Sequence, residues 1–336
     1  MTKPLVAVIT TIQRPTASVA GLTQRLRELK APLIVIGDRK GPADFDAPQA
    51  ELVTLDQQLR LPLELARLLP TGHYVRKNIG YLMAIARGAS CIYETDDDNM
   101  PAPNWSPRTM RTAAIRISPR PWVNVFRLFS DQVIWPRGFP LQLITSEATY
   151  RHDPAAPVEN FESPIQQGLA DLSPDVDAIW RLVLDREFRF RQGPSVWLPP
   201  GTWCPFNSQS TWWWPAAYPL MYLPSRCTFR MTDIWRSFVA QRCLWELGCG
   251  MVFHAAEVVQ ERNPHRLIKD FEDEVPGYLQ NERIVGLLAN ARLQPGPSAV
   301  GENLLRCYEA LVAGGIFPAD EMPLVRAWLA DTQRKL

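Results

Sequence analysis

Asp96, Asp97 and Asp98 stand side by side in the chain. Three adjacent carboxylates repel one another unless a cation or hydrogen bonds compensate. A hard divalent ion with oxygen ligands is the usual solution, and such an ion can bridge carboxylates and a diphosphate. The same residues could instead form a solvated acidic loop or, with Asn99, supply helix caps. A calcium-binding hand is excluded, because the sixth and twelfth positions from Asp96 are Pro101 and Pro107 rather than the required Gly and Glu. Other catalytic signatures are absent. There is no G-x-G-x-x-G, no G-x-x-x-x-G-K-[ST], no G-x-S-x-G and no H-E-x-x-H, which disfavours dinucleotide, P-loop, hydrolase-elbow and zinc-protease chemistry.

Three further groups are candidates. Arg76, Lys77 and Asn78 open a helix, where cations and amides suit a phosphate; a solvated first turn is the alternative. Asp233 opens DIWRSFVAQRCLWE and could be a helix cap or a general base for an acceptor hydroxyl. Of the four histidines, His254 and His265 follow a predicted strand and could complete a metal site, or be surface or hydrogen-bonded imidazoles.

The elements that must position these residues are legible from periodicity. Leu5–Ile9, Leu33–Ile36, Glu51–Leu55 and Cys91–Glu94 read as strands. Val19, Leu22, Leu26 and Leu29 recur at helical spacing, as do Ile79, Leu82, Met83 and Ala86 within 75–87, where Gly88 ends the helix. Alternation of this kind predicts an α/β fold with a mostly parallel sheet flanked by helices, whose ligands bind at the carboxyl ends of the strands. Thr10, Thr11, Asp38 and the acid triplet all fall at such ends, so one rim gathers them. Farther on, 123–129 and 251–253 read as strands, and 177–184, 233–247 and much of the C-terminal region to about Lys335 as helices, with Gln294–Ser298 as a linker.

Composition excludes several classes. Net charge is +1, with 36 basic and 35 acidic residues, so no polyanion-binding bias exists and nucleic acid is not an expected partner. No run of about 18 apolar residues occurs, and the N-terminus MTKPLVAVITTIQRP lacks the apolar core and cleavage site of a signal peptide. The six cysteines form no CxxC pair and read as free thiols of a cytoplasmic protein. Seven of the 12 tryptophans crowd 197–245. Three of them, Trp212 to Trp214, are consecutive, so at least one is expected to line a cleft or interface.

Four strings go beyond generic chemistry: RKNIGYLMAIARGA, WPRGFPL, PDVDAIWRL and DIWRSFVAQRCLWELG. In this order, from about Tyr74 to Gly248, they resemble the STELLO family of glycosyltransferase-like proteins. The triplet and GLADLSPDVDA are similar to the reversibly glycosylated polypeptides, which act on UDP-sugars. The resemblance implies a GT-A nucleotide-diphospho-sugar transferase fold. Thr10, Thr11 and Asp38 would face the nucleoside, with Arg14, Arg76 and Asn78 grouped in the nucleotide-sugar site. Asp96 and Asp97 would contact ribose and metal, and Asp98 the metal and diphosphate. Arg137, Asp175 and Asp177 would lie near sugar or acceptor, and Asp233 would be an inverting enzyme's base.

The expected architecture is a glycosyltransferase unit over 1–285 (nucleotide half 1–120, acceptor half 121–285) and a helical extension over 286–336. The expected activity is metal-dependent transfer of a sugar from a nucleotide diphosphate to a hydroxyl, with Mn or Mg as cofactor, in surface-glycan synthesis. A glycan or glycolipid is the expected acceptor, with peripheral membrane association where that acceptor is lipid-linked. Rivals are a sugar mutase or nucleotidyltransferase on the same fold, and a non-catalytic glycan-binding scaffold.

Overall fold

A computed structural model describes residues 4–153, 155–261 and 266–334. The chain begins with β1 (Leu5–Thr10), α1 (Ala17–Glu28), β2 (Leu33–Ile36) and β3 (Ala50–Val53). The short helices α2 (Leu55–Arg60) and α3 (Glu64–Leu68) follow, then α4 (Lys77–Ala86), β4 (Cys91–Thr95) and β5 (Asn99–Pro101). The middle contributes β6 (Arg111–Arg116), α5 (Val125–Leu128), β7 (Val158–Glu162), β8 (Ile165–Asp171), α6 (Ala178–Leu184), β9 (Val196–Leu198) and β10 (Ser210–Trp213). The last elements are α7 (Thr232–Trp245), β11 (Met251–Gln260), α8 (Leu267–Asn290), α9 (Val300–Ala313) and α10 (Met322–Thr332).

One 11-stranded sheet runs in the order β3-β2-β1-β4-β10-β8-β11-β9-β6-β7, with β5 paired to β11. β3, β2, β1 and β4 are mutually parallel, which is the expected N-terminal half. β10 enters antiparallel between β4 and β8, while β8 and β11 are parallel. The fold class is α/β, as expected. The first connections set the rim. Parallel neighbours need a crossover, usually a helix; α1 links β1 to β2 and α4 leads into β4, whereas the 37–49 connection from β2 to β3 contains no helix. The buried side chains of α1 join the core with Ile9 and Val35, whereas those of α4 pack with Val8 and Ile36. Gly80 allows α4 its close approach, because a Cβ there would lie 2.5 Å from Val8 Cγ1.

Several expectations need correction. The third strand ends at Val53, because Thr54 and Gln57 form a capping box that starts α2. The apolar run expected as a strand over 123–129 holds a single helical turn, α5, capped by the Asn124 side chain at Arg127 N, 3.4 Å; short apolar runs do not distinguish the two. Trp212, Trp213 and Trp214 are all buried. Trp212 and Trp213 point to opposite faces of a central strand that is covered on both sides, so they enter different cores. Their indole N–H groups donate to buried Glu257 and Glu94, both at 2.8 Å.

The chain position 285/286 lies inside α8. Leu304, Tyr308 and Trp328 of the last helices pack in the same core as α4 and α7. Lys335 lies outside the described residues. No helix among the described residues is long and apolar enough to cross a membrane.

Candidate functional site

β4 delivers the triplet to the rim. The chain then turns, with Asn99 N donating to Asp96 O at 3.3 Å, and returns as β5. Each acid is held by a different element. Asp96 Oδ1 accepts from Lys77 Nζ at 2.6 Å, and Lys77 is the first residue of α4. Asp97 accepts from the Thr11 hydroxyl, and its carbonyl accepts from Thr16, the cap of α1. Asp98 accepts from Gln260 Nε2, 3.0 Å away at the end of β11. Burial pushes Asp96 up to about 7 although Lys77 opposes it, and the Asp98 charge adds to the rise. Burial raises Asp97 as well, with Thr11 offsetting part of it.

Opposite the triplet, Arg137 sits between two carboxylates. Its Nε and Nη2 donate to Asp175 at 2.8 and 2.9 Å, and its Nη1 and Nη2 donate to Asp233 at 3.0 Å each. Nη1 also donates to the Arg230 carbonyl. Burial alone would raise Asp233, but Arg137, ahead of Arg236 and Arg230, holds its carboxyl below the usual range. Arg230 is paired in turn with Glu274 of α8 at 2.8 Å. The turn that aims Arg137 depends on Gly138, which has φ +88 and would place a Cβ 2.4 Å from Ile234 of α7.

Two cavities meet here. One, of about 240 Å³, is lined by the triplet, Arg137, Asp175, Arg181, Arg230, Asp233, Ser208, Gln209 and Gln260. The other, of about 450 Å³, is lined by Thr11, Ile12, Gly37, Asp38, Lys40, Gly72 and His73. Thr10, Tyr74, Asp97 and Phe229 line both. Asp38 fixes the rim of the second cavity, accepting from Gly72 N at 2.7 Å and His73 N at 3.0 Å.

Thr10, Thr11, Asp38, Asp96, Asp97, Asp98, Arg137, Asp175 and Asp233 therefore converge. Asp233 is not free to act as a base in this arrangement, because Arg137 occupies both of its oxygens and holds it as a weakly basic carboxylate. Nor does it cap α7, which has no side-chain cap.

The remaining candidates are placed otherwise. Arg76 is buried, and although it borders the larger cavity its guanidinium is spent on Gln58 at 2.7 Å and the carbonyls of Ala66 and Leu69. Asn78 clamps the Leu223 backbone in the core, donating and accepting at 2.9 Å. Asp177 is fully buried, caps α6 at Trp180 N and accepts from the Trp135 indole at 2.6 Å. Arg14 is exposed and lines neither cavity.

His254 is buried with Ser195 Oγ 2.7 Å from Nδ1 and Gln166 Oε1 2.9 Å from Nε2. Burial lowers its imidazole well below the ordinary range. Along the strand it is roughly 20 Å from Gln260, so it does not complete a metal site with the triplet. His265 lies outside the described residues. Of the Arg76-Lys77-Asn78 group, Lys77 is the member that reaches the triplet; Arg181, Arg230, Gln260 and Phe229 join the site without having been candidates. Lys77 had a signal in the RKN string beside a helix start, and Arg230 and Phe229 lie just before Asp233. Arg181 lies within the PDVDAIWRL string, and Gln260 carries no signal of its own.

The donor set fits a divalent ion of one kind. The three carboxylates do not converge on a point, and among the described residues no group of three acid, His or Cys side chains is spaced to enclose an ion. Hard oxygens from one or two carboxylates on a cavity wall fit an ion shared with a phosphate ligand rather than an all-protein cage. Burial, with the Asp98 charge adding to it, raises Asp96 and Asp97, and a cation bound at this wall would favour their charged forms.

Comparison with known proteins agrees with the motifs. The family model for STELLO glycosyltransferases matches residues 230–335. Two Arabidopsis thaliana proteins, the probable glycosyltransferases STELLO2 and STELLO1, are each 27% identical over 96% and 89% of this chain. The chain spans less than half of those relatives, 44% and 41%. The likeness to the STELLO family is thus borne out and extends past Gly248 into the C-terminal helices. Among solved structures, glucosyl-3-phosphoglycerate synthase of M. tuberculosis overlaps 86% of this chain and 80% of its own at TM-score 0.38 and 12% identity. The same enzyme with Mn2+, UDP and glucosyl-3-phosphoglycerate overlaps 86% and 79% at TM-score 0.36 and 10% identity. The fold rests on the strand order given above and not on these overlaps.

Proposed function

We propose that this chain is a metal-dependent glycosyltransferase that moves a sugar from a nucleotide-diphosphate sugar to a hydroxyl acceptor. The observation that carries the reading is the joined pair of cavities, one charged and one more apolar, with Asp97 and Thr10 at the junction. A nucleoside suits the larger cavity, bounded by Asp38 and Thr11, and the sugar suits the smaller one, facing Arg137, Asp175 and Asp233. The diphosphate then lies at the triplet. Asp98 and Asp96 would hold Mn or Mg, which when bound neutralises the charge that develops on the departing diphosphate. Lys77 supplies a fixed cation beside the same acids.

Asp233 belongs to a rigid Asp175–Arg137–Asp233 array. In this reading its role is to position sugar hydroxyls, since a carboxylate with both oxygens bound by a guanidinium is a poor base. Similarity to the STELLO proteins supports the reaction class. A cytoplasmic role in surface-glycan synthesis, with a glycan or glycolipid acceptor and peripheral membrane contact through a lipid-linked acceptor, is part of the same proposal. The test is release of nucleotide from a panel of UDP- and GDP-sugars with Mn2+ and with chelator. Metal-dependent release of nucleoside diphosphate is expected. Conversion of the nucleotide-sugar, with added pyrophosphate, to nucleoside triphosphate and sugar 1-phosphate would reassign the chain as a nucleotidyltransferase, isomerised sugar without nucleotide release as a mutase, and no turnover or binding across the panel as a non-catalytic protein.

A further inference from the structure

Phe229 is the one exposed residue among the described phenylalanines and tryptophans, at 51%. Trp245 and Phe271 are half-buried, and the others are buried. A single exposed apolar side chain needs no explanation, but this one lies on a wall common to two cavities. It is also held firmly. Its ring meets Tyr74 edge-on at 4.6 Å and His73 at 5.2 Å. The Tyr74 hydroxyl accepts from Asp233 N at 3.1 Å. The neighbouring Arg230 is tied to Glu274, and Met231 is buried. The ring is therefore presented to the cleft at little entropic cost on binding. Ile12, exposed at 57%, lines the same larger cavity. Burial lowers the His73 imidazole, with Asp38 opposing, so His73 is a neutral ring near pH 7.

A rigid, exposed aromatic face in a cavity of about 450 Å³ that also offers Ile12 and a neutral imidazole is suited to the flat face of a heteroaromatic base. Such stacking tolerates any base, because every base has a π-face. We infer that Phe229, with His73 beside it, is the surface on which the nucleobase of the donor packs; this rests on the donor-site reading above. Phe229 precedes α7, so the second half of the chain would reach over and close the nucleoside cavity built by the first half. A nucleoside diphosphate would then couple the two halves.

The test is calorimetric binding of UDP, GDP and inorganic pyrophosphate, each with Mn2+, to the full chain and to Phe229→Ala and Phe229→Trp. Because the ring is half exposed, the melting temperature of both variants is expected to stay near that of the wild type. The Ala variant is expected to bind both nucleoside diphosphates roughly tenfold or more weakly, with pyrophosphate affinity unchanged within about twofold and the Trp variant close to wild type. Equal weakening of pyrophosphate and nucleotides, or unchanged nucleotide affinity in the Ala variant, would overturn the assignment of Phe229 alone. Absence of nucleoside diphosphate binding by the wild type would overturn it together with the donor-site reading.

Discussion

Arg137 neutralises two carboxylates that have almost no access to water, since its side chain and those of Asp175 and Asp233 are only 6–7% exposed. Removing one partner of a buried ion pair strands the other charge, at about 3–5 kcal/mol. Arg137→Met is therefore expected to lower stability by about that amount in chemical denaturation, and adding Asp175→Asn and Asp233→Asn should recover part of the loss. If the single variant costs under about 1 kcal/mol, as an exposed pair would, the array is not holding the two halves of the site together. Asp98 is different, being half-buried at the cavity edge with Gln260 as its neighbour. Asp98→Asn should leave the melting temperature nearly unchanged while abolishing the effect of Mn2+ on nucleotide affinity. A variant in which Mn2+ still tightens nucleotide binding would move the principal ligand to Asp96 or Asp97.

At the scale of elements, the triplet is placed by β4 and held by α1, α4 and β11. Beneath it, Glu94 of β4 is fully buried and accepts from Arg236 of α7 at 2.8 and 2.9 Å, from Trp213 of β10 at 2.8 Å, and from the Tyr81 hydroxyl of α4. One carboxylate thus ties β4, which carries the triplet, to α4, which carries Lys77, and to α7, which carries Asp233. α4 must also lie close to β1. Gly80→Val is expected to overpack that contact against Val8 and Ile36, costing about 1–3 kcal/mol, and to displace Lys77 from Asp96. A stable Val variant with unaltered nucleotide affinity would show that the distance between α4 and β1 does not set the site.

These elements were the legible ones. β1, β2, β4, α4 and α7 follow the period of their apolar residues, and Gly88 ends α4 at φ +73 as read. β11 was only partly legible, three of its ten residues, because MVFHAAEVVQ places His254 and Glu257 inside. Both are buried only because distant partners satisfy them: Gln166 and Ser195 for the histidine, and Arg108, Ser210 and Trp212 for the acid. No local pattern announces such partners. The same holds for Asp177 and Asn78, whose polar side chains looked like ligand contacts and turn out to cap a helix and clamp a loop.

At the scale of the molecule, burying acids makes stability depend on pH. Burial pushes Asp177 up to about 7, against its hydrogen bonds from Trp135 and Trp180 N, with Glu274 raising it further and Arg230 lowering it. The folded chain therefore keeps this proton between 3.8 and about 7, where the unfolded chain has lost it. Stability contributed by this group falls as pH rises through that window, by about 1.4 kcal/mol per unit. Asp233, held low by Arg137, acts in the opposite sense and only at more acid pH, where its contribution is lost as pH falls. The melting temperature, measured without divalent metal, is thus expected to decline from pH 5 to about pH 7, with Asp96 acting in the same sense, and Asp177→Asn should make that decline shallower. An unchanged slope in the variant would show that Asp177 keeps an ordinary acidity.

The C-terminal helices bear on the site as well. Glu321 accepts from the Tyr222 hydroxyl at 2.5 Å and from Arg226 N at 2.8 Å, so it fixes the loop that leads to Phe229. The central claim is that the triplet and the paired cavities form one metal-dependent nucleotide-sugar site. Calorimetric titration of the full chain with UDP and GDP, with Mn2+ and then with chelator, tests it most directly. Saturable binding of at least one nucleoside diphosphate is expected, weakening roughly tenfold or more when the metal is removed. Binding of equal strength with and without metal, or no binding of either nucleotide, would contradict it.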